Sequence, residues 1–343
     1  MIMTIDIGGT KTSWIIWQNS KPVAQGLAAT DTITDFSEFI KACTGSHPVK
    51  KTVLAMAGPV TGGKLQLTNT GQLLDLQQLK NDFSHTGDML FLNDLEALAH
   101  SIPCLHEPEQ IVRFRSAAHA KGAVSADAKG TASSCRNEPC SEASSSGAKV
   151  VVSLGTGLGI SAVSREGTVI PSEGGHMDFA PATPKQQLIY EKLARKYGHV
   201  SCERLLSGQG LVNIYQCISE DSSGDSITSC SPAQLTAAAK TGNKAALEAF
   251  DIFTEILAAA CGNYALIYMA SGGIYLGGGM TPKILPLINR KIFDKAFAAK
   301  GRFTEFINQI PVYAITDESA PSIGAMMYAK QHIIRDCTSF QEF

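Results

Sequence analysis

An α/β fold arranged as two related lobes is the architecture this sequence predicts, and three observations predict it. Segments with the two-residue apolar period of strands alternate with segments of helical period along most of the chain. At 343 residues the chain exceeds one small domain and is long enough for two, each with an interior able to bury a core. The stretch VVVSLGTGLGISAV, beginning at Val150, repeats the pattern of the opening MIMTIDIGGTKTSWIIW: β-forming residues, a glycine-rich turn, then β-forming residues again.

The elements follow in order. Apolar β-formers flank Gly8 and Gly9 without a helical period, so the chain opens as strand, turn, strand, and strands continue through Pro22 to Ala28. A helix near Phe36 to Cys43 leads to a strand at Thr52 to Met56 and to apolar–polar alternation at Leu65 to Thr68. Leu76 to Phe83 is helical, and MLFLNDLEALAHSI reads as a buried strand, Met89 to Leu92, entering a helix that starts at Asn93 or Asp94. From Ser116 to Gly147 the composition shifts to Ala, Ser, Gly and Lys; such a stretch cannot offset its ordering entropy and is expected to be a mobile surface insertion. Order returns at Lys149. Helices follow at Gln186 to Lys196, from Ser201 or Gly208 to Ile218, after Ser231 with Pro232 as its first residue, at Lys244 to Met269, and finally at Ser319 to Arg335.

Composition narrows the function classes. A hydrophobic fraction of 44% with 17% charged residues describes an ordinary soluble protein, and a formal net charge of -2 gives no electrostatic reason to expect nucleic acid or a membrane as partner. Any anionic ligand is then bound by local groups. Ile256 to Ala270, the longest uncharged apolar run, is too short to span a bilayer and reads as a buried helix. The β-like pattern starts at Ile2 and reaches Asp6 at once, which leaves no room for a signal sequence, so the expected location is cytoplasmic. The nine cysteines include no CxxC pair and fit free thiols in a reducing compartment.

Gly58, Gly63 and Lys64 in AGPVTGGKLQL nearly spell a P-loop. That motif needs a Ser or Thr after the lysine, to hold Mg²⁺, and a helix whose amides face the phosphates; here Leu65 follows and KLQLTN alternates like a strand. A turn between strands is the expectation. GTGLG also misses the dinucleotide fingerprint, because Ile160 stands where the third glycine belongs. A glycine-rich hairpin tip is another route to phosphate, since it exposes backbone N–H groups with no side chains in the way. DIGGT and GTGLG both qualify, with Asp6 placed to meet a metal or its water shell.

Other residues admit two readings on spacing alone. Asp94, where a buried strand becomes a helix, suits a general base at a lobe rim; Asn93 or Asp94 equally suits a helix cap. Glu173, His176 and Asp178 crowd polar groups around two glycines, as a ligand site, a metal site or a plain turn would. Glu203 falls in the first turn of a helix read as capped by Ser201, where the dipole favours a carboxylate. Arg204 holds the capping-box position, so capping does not explain Glu203. Gly277 to Gly279 in LGGGMTPK suit either a close approach of ligand to backbone or a helix-capping turn.

The motifs DIGGTKT, AGPVTG, LTN, LNDLEALA, GTGLG, PSEGGHMDFAP, GHVSCERLLSGQGLVNIY, LGGGMTPK and KGRF together resemble the bacterial glucokinase family of the actin and hexokinase superfamily, over nearly the whole chain. SEGGHMDFAP and GHVSCERLLSG are the most specific of these. The resemblance implies a two-lobed actin/hexokinase-like, ribonuclease H-like fold with a central cleft: a small lobe of residues 1–104 plus 318–336 and a large lobe of 105–317, the latter carrying the insertion 116–147. It implies transfer of the γ-phosphoryl group of Mg-ATP to the 6-hydroxyl of D-glucose, the first step of glycolysis. Asp94 would be the base, with Asn93, Glu173, His176 and Glu203 binding sugar. Asp6, Gly8, Gly9, Thr10 and Lys11, with Gly155, Thr156 and Gly157, would hold phosphates, although Lys11 also suits plain surface. Gly277, Gly278 and Gly279 would flank the adenosine. Mg²⁺ would be reached from Asp6 through water, and a homodimer is implied. Zinc is not expected, because no cysteine follows Gly175 and His176 until Cys202. A catalytically idle glucose-binding or regulatory protein, or a kinase for another hexose, is the competing reading. If 116–147 is a passive insertion, deleting Ala117 to Ser146 leaves kcat nearly unchanged; a large loss would show that the segment acts in turnover.

Overall fold

The computed structural model describes residues 1–56, 58, 60–61, 63–67, 71–83, 87–117, 147–219 and 230–332. Most of the Ser- and Ala-rich insertion, together with Cys135, Cys140, Cys337, Thr68 and Asn69, lies outside them. The chain divides into two compact units, Met1–His106 with the segment that begins at Asp317, and Glu107–Thr316.

The first unit is built on a five-stranded sheet. Its elements are β1 (Ile2–Ile7), β2 (Lys11–Gln18), β3 (Lys21–Ala29), α1 (Phe36–Thr44), β4 (Lys51–Met56), β5 (Val60–Thr61), β6 (Lys64–Gln66), β7 (Leu73–Asp75), α2 (Leu76–Phe83), β8 (Asp88–Asn93) and α3 (Asp94–Ser101). The strand order is β3-β2-β1-β4-β8, with β3, β2 and β1 antiparallel and β1, β4 and β8 parallel. Strand alternation sorts the β1 side chains between two helical layers. Met3, Ile5 and Ile7 pack with Ile40 of α1 and with Leu76, Leu79 and Phe83 of α2. Ile2 faces the other way, onto a cluster formed by Val53, Ala55, Leu92 and Ala97 with Ala325 and Ala329 of the C-terminal helix, Ala320–Gln331. Asp6 shares the parity of Ile2 and Thr4, so the sheet directs its carboxyl toward the layer that contains α3.

Small residues let that layer close. A Cβ on Gly324 would run into the carbonyl oxygen of Ala97 and stand 2.7 Å from the backbone nitrogen of Ser101, so glycine is what lets the C-terminal helix touch α3. The turn at Gly63 joins β5 to β6, and Lys64 begins the second strand, 3.8 Å from Asp75. A strand follows the turn and not a helix, as the alternation of KLQLTN predicts.

The second unit contains β9 (Ile111–Arg115), β10 (Lys149–Leu154), β11 (Leu158–Val163), β12 (Val169–Ser172), α4 (Pro184–Tyr197), α5 (Gly208–Ser219), α6 (Pro232–Lys240), α7 (Lys244–Ile267), β13 (Gly273–Gly277), α8 (Thr281–Ile284), α9 (Arg290–Ala298), α10 (Thr304–Asn308) and β14 (Val312–Ile315). Its six-stranded sheet runs β12-β11-β10-β13-β14-β9. From β12 to β14 the directions repeat those of the first sheet, two antiparallel pairs and then two parallel ones. The echo between the two glycine turns is therefore an echo of whole sheets, each turn joining the strand at the antiparallel-to-parallel switch to its antiparallel neighbour. The apolar run of α7 is core: Phe250, Phe253, Leu257 and Cys261 are buried in it. Among the described residues no helix is long and apolar enough to cross a membrane, and Cys43, Cys104, Cys202, Cys217, Cys230 and Cys261 are free thiols.

Two local expectations change. Ser201 makes no side-chain cap; Cys202–Arg204 is a single 3-10 turn, and the α-helix begins at Gly208. A Cβ on Gly210 would meet the Leu205 backbone at 2.4 Å, so glycine is what lets the chain fold back tightly between the two turns. The predicted end of the α7 helix also moves, from Met269 to Ile267, where Tyr268 caps it.

Gly324→Val forces a branched side chain into the α3 backbone. We expect a loss of about 1–3 kcal/mol, the usual cost of overpacking, read as a lower midpoint in thermal unfolding; an unchanged midpoint would show that the C-terminal helix does not rest on α3 as described.

Candidate functional site

Each unit carries its own cluster of the residues singled out above. In the first, β1 ends at a tight turn in which the Gly8 amide donates to the Lys11 carbonyl at 3.0 Å. Gly9, Thr10 and Lys11 are exposed at the tip. The N–H groups of Gly9 and Thr10 make no hydrogen bond among the described residues. Thr30 holds the turn from beneath: its hydroxyl donates to the Gly8 carbonyl at 2.8 Å and its amide to the Thr10 carbonyl at 3.1 Å. The Thr12 hydroxyl completes the support, 3.0 Å from that of Thr30, and both threonines are buried. Sequence reasoning missed these two. Thr12 stands inside the DIGGTKT motif, which is a signal of a kind; nothing local marks Thr30.

Asp6 and Asp94 act on each other within this unit. Burial, and after it the charge of Asp94, push the Asp6 carboxyl up to about 7 from an ordinary 3.8. The parallel rungs explain the approach, since Ile7 pairs with Met56 and Met56 with Asn93, and Asp94 follows directly. These are the carboxyl ends of parallel strands, where ligands of open α/β sheets bind.

The cap question at α3 is answered in part. Asn93 is the cap: its side-chain oxygen accepts from the Leu95 amide at 2.8 Å, and Glu96 reaches back to the Asn93 amide at 3.3 Å. The Asp94 carboxylate also accepts from the Leu95 amide, at 2.9 Å, so one oxygen is tethered to the helix start. Capping uses the oxygen of Asn93 and not its two side-chain N–H donors.

In the second unit four segments meet at Leu154–Leu158. The Gly155 amide donates to the Gly157 carbonyl at 3.0 Å, forming the tip, with Thr156 exposed. The amide of Gly208, first residue of α5, donates to the Gly155 carbonyl at 3.0 Å. Glu203 accepts from the Leu158 amide at 3.0 Å. A Cβ on Gly175 would strike the Leu158 carbonyl, which seats the Glu173–His176 turn against the same strand. His176 and Glu173 are exposed side chains 3.9 Å apart. Asp178 bridges to Ser201, and the Cys202 amide donates to the Met177 carbonyl at 2.9 Å, so SEGGHMD and SCER lie side by side. Asp178 itself pairs with His199 at 2.8 Å.

The LGGG turn abuts this cluster. A Cβ on Gly278, at φ +83°, would come within 2.7 Å of the Leu154 nitrogen, so this glycine is required by the protein's own backbone. Gly277 is buried at the end of β13, and its carbonyl accepts from the Thr281 hydroxyl. Gly279 is exposed with open space where a Cβ would stand. Unlike Gly278, Gly279 has a glycine character that internal packing does not explain. Among the described residues no three His, Cys, Asp or Glu side chains gather as metal ligands.

Comparison with known proteins agrees with this geometry. A family model described as Glucokinase matches residues 3–332. The glucokinase of Mesorhizobium japonicum is 32% identical over 341 residues, covering 96% of this chain and 91% of that protein. A solved glucokinase from an Antarctic psychrotroph aligns with a TM-score of 0.77 at 24% identity, spanning 96% of this chain and 98% of that one. A Balamuthia mandrillaris glucokinase solved with glucose gives 0.74 at 20% identity, with 96% and 93% covered. The structural likeness shows the fold, that of the actin-like sugar kinases, as the sequence predicted. The family model and the relative go further, and the chain belongs to the glucokinase family.

Proposed function

We propose that this chain phosphorylates D-glucose at its 6-hydroxyl with ATP as donor. The observation that carries the reading is the placement of Asp94 and Asp6 beside a hairpin tip with bare amides, in a chain of a family of ATP-dependent hexose kinases. Phosphoryl transfer asks the protein mainly to position and to stabilise charge. The exposed tips, at Gly9 and Thr10 and at Thr156 and Gly157, supply N–H donors for phosphate oxygens. Asp94 accepts the proton of the sugar hydroxyl. Its hydrogen bond from the Leu95 amide orients the carboxylate at the start of α3. Asn93, Glu173, His176 and Glu203 bind the remaining hydroxyls.

Mg²⁺ arriving with ATP fits the donor set. Carboxylate oxygens suit a hard cation that keeps most of its waters, and Asp6, held near neutrality by burial and a neighbouring anion, gains a counter-charge when it ionises. When bound, the ion neutralises charge on the β- and γ-phosphates.

Asp94→Asn should lower kcat by about 10²–10⁴-fold, the usual contribution of a general base. The Asn93 cap survives the change, so the melting temperature should stay near that of the parent. A coupled assay for glucose 6-phosphate reads the first and a thermal melt the second; full turnover in the variant would remove Asp94 from the mechanism. The same assay exposes an idle binder, which glucose would stabilise without forming product.

Asp6 also predicts a pH dependence of stability. Its folded pKa lies above the ordinary value, so between about pH 4 and 7 the folded protein holds the proton that the unfolded chain releases, and stability falls as pH rises through that window. His100 has the opposite sign: burial first, then the charge of His332, lower its pKa to about 4, so its contribution falls as pH drops from the ordinary 6.5. The difference between the parent and Asp6→Asn isolates the first. That difference in unfolding free energy should change between pH 4 and 7 in nucleotide-free protein; a flat difference would show that Asp6 is not held protonated.

A further inference from the structure

Glu203 touches the second glycine turn more closely than a sugar ligand needs to. Its Oε2 accepts from the Leu158 amide at 3.0 Å, and the same oxygen would stand 2.5 Å from a Cβ on Gly157. The glycine is therefore shaped around the carboxylate. Glu203 is itself held in a ring of hydrogen bonds that returns to the turn. The Ser207 hydroxyl donates to the Glu203 carbonyl at 2.9 Å, Ser207 Oγ accepts from the Gly210 amide at 3.0 Å, and the neighbouring Gly208 amide donates to the Gly155 carbonyl at 3.0 Å. Both ends of the Gly155–Leu158 turn are tied to one short segment, Glu203–Gly208.

We propose that Glu203 is a positioning residue for the GTGLG turn as well as a sugar ligand, so that sugar and nucleotide binding are coupled inside this unit. The proposal rests on the readings of Glu203 as a sugar ligand and of the turn as a phosphate site. The coupling has two physical sources. A sugar hydroxyl donating to Oε1 restricts a side chain with three rotatable bonds, and the turn that Oε2 holds is ordered with it, so a nucleotide binding second meets a site already ordered. The same hydroxyl takes up negative charge that would otherwise face the incoming phosphates. Both effects have the same sign: sugar tightens nucleotide, and linkage requires nucleotide to tighten sugar by the same factor.

The test is a pair of titrations on the full chain, AMPPNP with and without saturating glucose and glucose with and without saturating AMPPNP, on the parent, Glu203→Gln, His176→Gln and Gly157→Ala, each checked by thermal melt. In the parent, each ligand should tighten the other by roughly 5-fold or more, the usual lower end of such couplings. Glu203→Gln should bind glucose more weakly and show a mutual effect below about 2-fold. His176→Gln, which removes a sugar ligand that does not touch the turn, should weaken glucose yet keep the parental factor. Gly157→Ala, whose new methyl displaces the carboxylate, should weaken glucose with no nucleotide present. Absence of coupling in the parent, or a full parental factor in a Glu203→Gln protein that has lost glucose affinity, overturns the proposal. Unchanged glucose affinity in Glu203→Gln removes the sugar assignment itself, and the coupling role falls with it.

Discussion

A glycine turn that offers its amides to a phosphate cannot hold its own shape, because the side chains that would brace it are the ones it has to lack. Most of what surrounds the two hairpin tips in this protein answers that constraint. The first tip is braced by Thr30, whose hydroxyl donates to Gly8 and whose amide donates to Thr10, with the Thr12 hydroxyl behind it. The second is braced by backbone and by one carboxylate: Gly208 on Gly155, Gly278 against Leu154, Glu203 on Leu158. In both, the brace holds the turn through its carbonyls and neighbouring backbone, and the N–H groups of Gly9, Thr10 and Thr156 make no hydrogen bond among the described residues.

The acidic pair beside the first tip follows from the same sheet. Alternation along β1 sends Asp6 into the layer that contains α3, and the parallel rungs from β1 to β8 bring Asp94 to the same end. Burial first, and after it the charge of Asp94, raises the Asp6 carboxyl. The arrangement persists because α3 is fixed independently of it. The Asn93–Glu96 capping box sets where the helix begins, and Gly324 lets the C-terminal helix press on Ala97. Packing and the Asn93–Glu96 box therefore set where α3 begins, and the place of Asp94 follows from them.

What could be read from the chain, and what could not, divides by distance along it. The hairpin from Ile2 to Gln18, the helix from Leu76 to Phe83 and the strand-to-helix junction at Asn93 follow from local period and capping chemistry, and the structure has them where the pattern puts them. The failed P-loop was legible for the same reason, since the residue after Lys64 decides it. Thr30 was not legible, because its importance arises from contacts with Gly8 and Thr10, far off in sequence, and a threonine among polar neighbours looks like any loop residue. The reading of Ser201 as a helix cap failed similarly. Ser201 forms a bridge to Asp178, a tertiary contact that local propensity cannot foresee, and the helix waits until Gly208. Gly175, Gly278 and Gly324 look alike as glycines; only the folded chain shows that each clears room for a particular carbonyl or amide.

The two sheets repeat one plan, and their difference at one position is chemically informative. Asp6 lies one residue before the end of β1, opposite Ser13 and beside Ala55. The matching position of β10 is Ser153, opposite Gly159 and beside Gly277. A second aspartate there would put another buried carboxyl beneath the second tip, where the structure has a neutral hydroxyl instead. The second unit instead brings its carboxylate from a separate segment, Glu203, and ties it to a backbone amide, which draws off part of its charge and points it along the strand end. One strand keeps an acid that can meet a cation, and the other keeps a neutral hydroxyl and borrows an acid that can meet a hydroxyl. The repeated architecture thereby carries two unlike tasks, and the divergence rests on a single side chain in each first strand.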